Sequence, residues 1–430
     1  MGNSYLDIQR SLAVRVEIEL PASKSISNRA LILNALSHSE LPPENLSDCD
    51  DTRVMVNALR DIPKVIDIGA AGTAMRFLTA YLSVTPGEHT ITGSARMRQR
   101  PIGVLVDALR QLGAEIQYEG EEGFPPLHIV GQSNLSGGTL RVTASISSQY
   151  LSALLMIAPT LKQGLTLELT GRIVSRPYLE MTIQMMRTFG AQVDWTDDQS
   201  IRVEPGSYRP LAYTIENDWS AASYWYEIVA LTNDPGAWVK LPGLQLQSLQ
   251  GDSCVHRIFD VLGVGTEECT CSNGQKGIRL YKQGLETDYL NCDFTDCPDL
   301  AQTVAVTCAL KEIPYCLSGV ESLRIKETDR LAAVRRELNV LGYLLNNSDN
   351  CLEWGGCYVI PGNEDEFGNP INPANEPPAI HTYDDHRMAM AFAPACCRRK
   401  MVRILDPAVV SKSYPTYWDD LKKAGFRICS

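Results

Sequence analysis

The stretch Met181-Thr182-Ile183-Gln184-Met185-Met186-Arg187-Thr188-Phe189-Gly190-Ala191-Gln192-Val193-Asp194-Trp195-Thr196-Asp197-Asp198-Gln199-Ser200-Ile201-Arg202-Val203 holds a complete local structure. Met181–Phe189 reads as an amphipathic helix and Gly190 as its left-handed C-cap. Ala191 to Trp195 alternates like a half-buried strand, Asp197-Asp198 turns the chain, and Ile201-Arg202-Val203 returns beside it. The same order recurs. Val106–Leu112 leads to Gly113, a strand over 114–118 and a return over 127–130. Val255–Leu262 leads to Gly263, with a return over 277–281. Ala332–Leu341 leads to Gly342, with 352–354 returning, and Tyr417–Ala424 leads to Gly425 and the chain end. A degenerate copy runs from Met55–Arg60 to Val65–Ile68. The five glycines are spaced 73 to 83 residues apart. A period of that size means one supersecondary unit used about six times. Each copy carries both helix and strand, so the class is α/β or α+β with repeated sheets.

Composition sets the outer limits. The chain has 430 residues, 39 Lys plus Arg and 51 Asp plus Glu, for a net charge of -12. A surplus of negative charge argues against nonspecific binding to nucleic acid or membrane surface. With 44% hydrophobic and 21% charged residues, the chain is globular, long enough for two or three domains. No apolar run reaches the ~18 residues of a membrane span. Met1 to Arg10 has no basic segment leading into an apolar one, and the expected location is the bacterial cytosol. Thirteen cysteines with no dense framework suit reduced thiols. Cys269, Cys271, Cys292 and Cys297 lack partners at zinc-ligand spacing, so no metal is expected. Pro205–Pro210 and Glu216-Asn217-Asp218 mark a change near mid-chain, and 363–378 reads as a long surface loop.

Seven segments could carry chemistry. In Pro21-Ala22-Ser23-Lys24-Ser25-Ile26-Ser27-Asn28-Arg29, a strand over 13–20 ends and a helix starts around Ser25–Ser27, running through Leu36. Hydroxyls and free N–H groups there favour an anion, with Lys24 and Arg29 adding charge. Gly69-Ala70-Ala71-Gly72-Thr73 is a small-residue turn that allows close backbone approach to a ligand. Arg96-Met97-Arg98-Gln99-Arg100-Pro101 is expected to open the helix containing Val106–Leu112, at a macrodipole cost of roughly 0.3–1 kcal/mol per arginine unless an anion binds. Ser145 to Tyr150 and Ser175-Arg176-Pro177-Tyr178 offer donors at two more helix starts. In Lys326-Glu327-Thr328-Asp329-Arg330, Lys326 and Arg330 share a face if the segment is helical. Tyr383-Asp384-Asp385-His386-Arg387 brings acid, imidazole and guanidinium to the mouth of an apolar helix, suited to proton transfer or anion clamping. Lys412 is the seventh. Each has an ordinary reading as a cap or a solvated charge. Together they describe an acidic chain that gathers its cations at helix starts, as a site for phosphate or carboxylate substrates would.

In this order, Lys24–Arg29, Gly72–Arg76, Arg100-Pro101-Ile102, Lys326–Arg330 and Asp385–Met390 resemble the EPSP synthase (3-phosphoshikimate 1-carboxyvinyltransferase) family of enolpyruvyl transferases, over nearly the whole chain. The resemblance implies a two-domain inside-out α/β barrel of six βαβαββ units, three per domain. Residues 1–19 plus 217–430 would form the discontinuous domain and 20–216 the inserted one, with the active site in the cleft between them. It implies transfer of enolpyruvyl from phosphoenolpyruvate to the 5-hydroxyl of shikimate 3-phosphate, by addition and elimination through a tetrahedral intermediate, in the shikimate pathway of aromatic amino acid biosynthesis.

Neither metal nor organic cofactor is implied, and the expected state is a monomer whose domains close on two small anionic substrates. Lys24, Gly72, Arg100, Gln149, Arg330, Arg387 and Lys412 would serve phosphoenolpyruvate. Ser25, Arg29, Ser147, Ser148, Gln149, Ser175, Tyr178, Asp299, Ser322 and Lys326 would serve shikimate 3-phosphate. Asp299 is the expected base for the hydroxyl and Glu327 the acid/base at the methylene carbon, with Lys24 and His386 completing the catalytic set. Two positions depart from the family pattern, Ala70 and Ser322 each standing where Asn is usual. A related transferase acting on UDP-N-acetylglucosamine usually carries a Cys shortly before the Arg-Pro pair, and 93–98 has none. A non-catalytic anion-binding relative would not need Asp299, Glu327 and His386.

Overall fold

All five repeat glycines take left-handed backbone conformations, with φ of +100° at Gly113, +93° at Gly190, +91° at Gly263, +94° at Gly342 and +88° at Gly425. Only glycine adopts these values without a steric cost, so each one ends its helix and re-aims the chain into a strand. The computed structural model describes residues 4–144, 147–346, 348, 350–359 and 377–430. Ser145, Ile146 and most of the expected 363–378 loop lie outside the described residues.

The chain divides into two units, Met1–Pro21 with Asn217–Ser430, and Ala22–Glu216. It opens on β1 (Tyr5–Gln9) and β2 (Arg15–Glu17) and then enters the inserted unit. There α1 (Lys24–Leu36) and α2 (Asp50–Asp61) precede two full repeats. The first is β3 (Val65–Asp67), α3 (Gly72–Val84), β4 (Gly87–Thr92), α4 (Gly103–Gln111), β5 (Glu115–Tyr118) and β6 (Leu127–Gly131). The second is β7 (Gly138–Thr143), α5 (Ser148–Ile157), β8 (Leu165–Thr170), α6 (Arg176–Thr188), β9 (Val193–Asp197) and β10 (Ser200–Val203). Their sheets run β3-β4-β6-β5 and β7-β8-β10-β9. In both, the first pair is parallel across a helical crossover and the rest antiparallel.

The outer unit repeats the plan. It holds α7 (Trp219–Leu231), β11 (Trp238–Pro242), α8 (Val255–Val261), β12 (Val264–Thr270) and β13 (Lys276–Lys282). Next come β14 (Leu290–Asp293), α9 (Ala301–Leu310), β15 (Tyr315–Ser318), α10 (Arg330–Val340) and β16 (Leu352–Trp354). Last are β17 (Ala379–Ile380), α11 (His386–Phe392), β18 (Met401–Leu405), α12 (Tyr417–Lys423) and β19 (Arg427–Cys429). The sheets are β2-β11-β13-β12, β14-β15-β16 and β17-β18-β1-β19. The chain's first strand, β1, therefore fills the last place of the final repeat, between β18 and β19.

Each unit has its own hydrophobic core. Nearly every residue of α3 and α5 is buried in the inserted unit, and every residue of α9 and α11 in the outer one. Helices that are apolar all round belong in the centre. The strands alternate instead, as in β7, where Leu140 and Val142 are buried between exposed Thr139, Arg141 and Thr143. One face of each sheet meets the core and the other meets solvent. Within each unit, helices inside and sheets outside are the inside-out arrangement that the family resemblance implies.

Several local expectations are corrected. The strand expected over 13–20 pairs as β2 only at Arg15–Glu17, and α1 already begins at Lys24, capped by Ser23, whose hydroxyl accepts from the Ile26 N–H. The arginines of 96–100 do not open α4. Met97–Gln99 is a single 3-10 turn, Arg100 is extended at φ -93°, ψ 124°, and α4 starts at Gly103. Pro101 keeps the residue before it out of helical conformation, so the macrodipole cost does not arise. Lys326 and Arg330 do not share a helical face, because Asp329 caps α10 by accepting from the Ala332 N–H, and Lys326 lies upstream in extended backbone. The degenerate copy expected from Met55–Arg60 to Val65–Ile68 is present as α2 followed by β3. There Ile62, at φ +37°, stands where the other copies have glycine.

Candidate active site

In the inserted unit, helix starts gather the predicted binding residues. Lys24 opens α1, and its ammonium lies 3.4 Å from Asp51 at the start of α2. Arg29, one turn further, is buried. Its guanidinium donates to Thr182 Oγ1 at 2.7 Å, the Ser25 carbonyl at 2.9 Å, Ser152 Oγ at 3.0 Å and the Tyr178 carbonyl at 3.4 Å. It also lies over the rings of Phe77 and Tyr178. Burial pulls its pKa down to about 10, and Tyr178 opposes that shift. Ser175 sits just before α6 in left-handed backbone at φ +58°, and its hydroxyl does not cap the helix.

A second cluster forms where α3, α5 and the 97–101 turn meet. Gln149 Nε2 donates to Thr73 Oγ1 at 3.1 Å, and Ser147 Oγ caps α5 by accepting from the Gln149 N–H. The Tyr150 hydroxyl donates to the Pro101 carbonyl at 2.5 Å. The Arg100 guanidinium lies over Gly72 so closely that a Cβ there would fall 2.7 Å from Nη1. Glycine at position 72 thus lets the Arg100 guanidinium lie directly against the backbone. Ser147, Ser148, Gln149, Gly72 and Arg100 form one group; Ser25, Arg29, Ser175 and Tyr178 line another, with Arg29 as its hub.

The outer unit holds the carboxylates. Asp299 lies in a 3-10 turn at Pro298–Leu300, ahead of α9. Its Oδ1 accepts from Arg330 Nη1 at 2.9 Å, with Lys326 Nζ 3.7 Å away, and its Oδ2 accepts from Arg387 Nη2 at 2.9 Å. Arg330 also donates to Glu327 Oε2 at 2.8 Å and to Asp385 at 2.6 and 3.3 Å. Burial disfavours the Arg330 charge, but Asp385, Glu327 and Asp299 outweigh it and push its pKa above the ordinary arginine range. Asp385 caps α11 by accepting from the Arg387 N–H, and it lies 3.7 Å from Nδ1 of the buried His386. Lys412 donates to the Asp384 carbonyl at 2.5 Å. Asp299, Lys326, Glu327, Arg330 and Arg387 thus form one ion network. Ser322 is not part of it: its hydroxyl is buried in the preceding 3-10 turn with no hydrogen-bond partner among the described residues.

Several residues escaped sequence reasoning. Asp252 is buried, and the Ser220 hydroxyl donates to it. Ser220 lies 3.5 Å from Arg387 Nη2. Burial, then the charge of Asp299, pushes the Asp252 carboxyl up to about 6, against the pull of Arg387 and Ser220. Asp51, Ser152, Thr182 and Glu337 were missed as well. A polar side chain inside an otherwise apolar helix, as Ser152 is in α5, was the one available signal. Among the described residues no three His, Cys, Asp or Glu side chains gather as a metal site. The guanidinium and ammonium groups of this set can bind anions, and its carboxylates can exchange protons.

Comparison with known proteins agrees with that chemistry. The family model for EPSP synthase (3-phosphoshikimate 1-carboxyvinyltransferase) matches residues 8–65 and 61–421. A 3-phosphoshikimate 1-carboxyvinyltransferase of Bacteroides fragilis is 55% identical over 416 residues, covering 96% of each chain. One from Bordetella petrii is 38% identical, covering 97% of this chain and 96% of the relative. The EPSP synthase structure from Acinetobacter baumannii superposes with a TM-score of 0.75 over 99% of this chain at 21% identity, a likeness of fold. The chain belongs to the EPSP synthase family.

Proposed function

We propose that the chain transfers the enolpyruvyl group of phosphoenolpyruvate to the 5-hydroxyl of shikimate 3-phosphate, giving 5-enolpyruvylshikimate 3-phosphate and phosphate. Supporting this is its family membership, at 55% identity to a 3-phosphoshikimate 1-carboxyvinyltransferase. The local observation that carries it is Asp299, a carboxylate within reach of three cations and linked through Arg330 to Glu327. Binding alone would call for the cations without the two acids.

In this reading Lys24, Arg100, Arg330, Arg387 and Lys412 take the charges of phosphoenolpyruvate, with Gly72 and Gln149 beside it. Ser25, Ser147, Ser148, Gln149, Ser175, Tyr178, Asp299, Ser322 and Lys326 take shikimate 3-phosphate. Arg29, with four protein acceptors, holds Ser25 against α5 and α6. Glu327 in its acid form gives its proton to the methylene carbon, which becomes methyl. The 5-hydroxyl oxygen bonds to the adjacent carbon as its proton passes to Asp299. Loss of a methyl proton to Glu327 then restores the double bond as the carbon–oxygen bond to phosphate breaks. The cations stabilise the charges that build up and leave on phosphate. His386 and Lys24 complete the catalytic set. We also read the enzyme as a cytoplasmic monomer. Its thirteen cysteines, all free thiols, suit a reducing compartment.

Phosphate release from purified protein tests the reading, with phosphoenolpyruvate as donor and either shikimate 3-phosphate or UDP-N-acetylglucosamine as acceptor. Release with shikimate 3-phosphate alone is expected. Release only with the sugar nucleotide would overturn the acceptor assignment, and release with neither would overturn the activity.

A further inference from the structure

We propose that Glu337, on α10, is a positioning residue of the active site, holding the 381–385 loop so that Asp385 and Arg387 meet Arg330 and Asp299. This rests on the functional reading above. Glu337 is fully buried. One of its carboxylate oxygens accepts from the Tyr383 hydroxyl and the other from the His381 N–H at 3.1 Å. Both oxygens are thus committed to a single loop.

That loop needs holding. Tyr383 and Asp384 are consecutive non-glycine residues in left-handed backbone, at φ +52° and +55°. L-residues persist there only when their surroundings enforce it. The next residue, Asp385, grips Arg330 at the first turn of α10. One helix therefore grips the loop twice, at Arg330 and, two turns on, at Glu337. Arg387, aimed by the same loop, donates to Asp299. A shift of the loop would move both guanidinium contacts of Asp299, and displacements near 1 Å cost on the order of 100-fold in rate.

The groups acting on the Glu337 carboxyl are the Tyr383 hydroxyl, the His381 backbone N–H and the Arg336 side chain. Arg336 also donates to Tyr383 Oη at 3.4 Å and lies over its ring. Burial pushes the Glu337 carboxyl up to about 7, and these three groups oppose the shift. The amide of Glu337→Gln can keep both contacts, accepting from His381 and donating to the Tyr383 oxygen.

The test compares wild type with Glu337→Ala, Glu337→Gln, Tyr383→Phe and Glu337→Ala/Tyr383→Phe, using steady-state kinetics with both substrates and hydrogen exchange of amides 381–388. For Glu337→Ala, kcat/KM for phosphoenolpyruvate is expected to fall at least tenfold, with KM for shikimate 3-phosphate within twofold and faster loop exchange. Glu337→Gln should recover to within threefold of wild type, and the double variant should be no worse than Glu337→Ala. A folded Glu337→Ala with wild-type kinetics, or a double variant whose losses add, would overturn the proposal. If Glu337→Ala does not fold, Tyr383→Phe decides, since unchanged kinetics and exchange there overturn it equally. A wild type without turnover would sink the functional reading instead, and the exchange measurement would still settle the loop.

Discussion

Arg330 and Asp385 face each other through two hydrogen bonds, of 2.6 and 3.3 Å, with Arg330 2% and Asp385 0% exposed. Removing one partner of a buried ion pair is costlier than never having built it, because the other charge stays behind without water. Asp385 also caps α11. Asp385→Ala should therefore lose about 3–5 kcal/mol in urea unfolding. A loss below about 1 kcal/mol would mean that Glu327 and Asp299 alone satisfy Arg330.

Gly72 makes a different kind of demand. Its backbone φ is ordinary, so Gly72→Ala strains nothing locally. The new Cβ would meet only the far end of the Arg100 side chain, at 2.7 to 3.1 Å. The guanidinium can swing away, so the fold should survive within about 1 kcal/mol. The cost should fall on the ligand that Arg100 serves. KM for phosphoenolpyruvate is expected to rise roughly tenfold, the equivalent of about 1.4 kcal/mol, with a smaller change in kcat. A kcat loss with unchanged KM would contradict the placement of Arg100 on this substrate.

The repeat was legible because its signal is local. A glycine forced to positive φ after an amphipathic helix shows in five consecutive residues, and Gly113, Gly190, Gly263, Gly342 and Gly425 all show it. The copy ending at Ile62 was faint because a β-branched residue occupies the left-handed position. The cations and acids of the site were legible only as a constellation. Lys326-Glu327-Thr328-Asp329-Arg330 looks like a surface salt-bridge helix, and its expected i,i+4 face fails because one aspartate caps the helix midway. Asp252 and Glu337 left no trace. An acid beside an arginine in sequence, like Glu337 after Arg336, reads as solvated until packing shows it buried under Tyr383.

Glu337 should also leave a mark on stability. Its carboxyl rises from 4.5 in the open chain to about 7 when folded. The folded state therefore binds the proton more tightly, and the stability it contributes is present below pH 4.5 and lost as pH climbs through 7. The full loss is roughly 3 kcal/mol at most. Glu337→Gln cannot titrate, so its stability relative to wild type should improve between pH 5 and pH 8 in parallel urea titrations. A difference that stays flat across that range would show that Glu337 is already ionised at pH 5.

Asp252 obeys the same sign, with burial reinforced by a neighbouring charge. Burial and the neighbouring charge of Asp299 hold its carboxyl up at about 6, above its unfolded 3.8. Its Oδ1 is buried with no hydrogen-bond partner among the described residues, while the Ser220 hydroxyl donates to Oδ2. Asp252→Asn keeps an acceptor for Ser220 but leaves amide hydrogens where Oδ1 had been, a fixed penalty of about 1–3 kcal/mol. That penalty does not depend on pH, so the intercept of the comparison says little and the slope decides. Wild type should lose up to roughly 3 kcal/mol relative to Asp252→Asn between pH 4 and pH 7. The window lies about one pH unit below that of Glu337→Gln, so the two variants are separable in one series. No slope for Asp252→Asn would mean that Arg387 offsets the burial of Asp252 completely and that its carboxylate belongs to the ion network of Asp299.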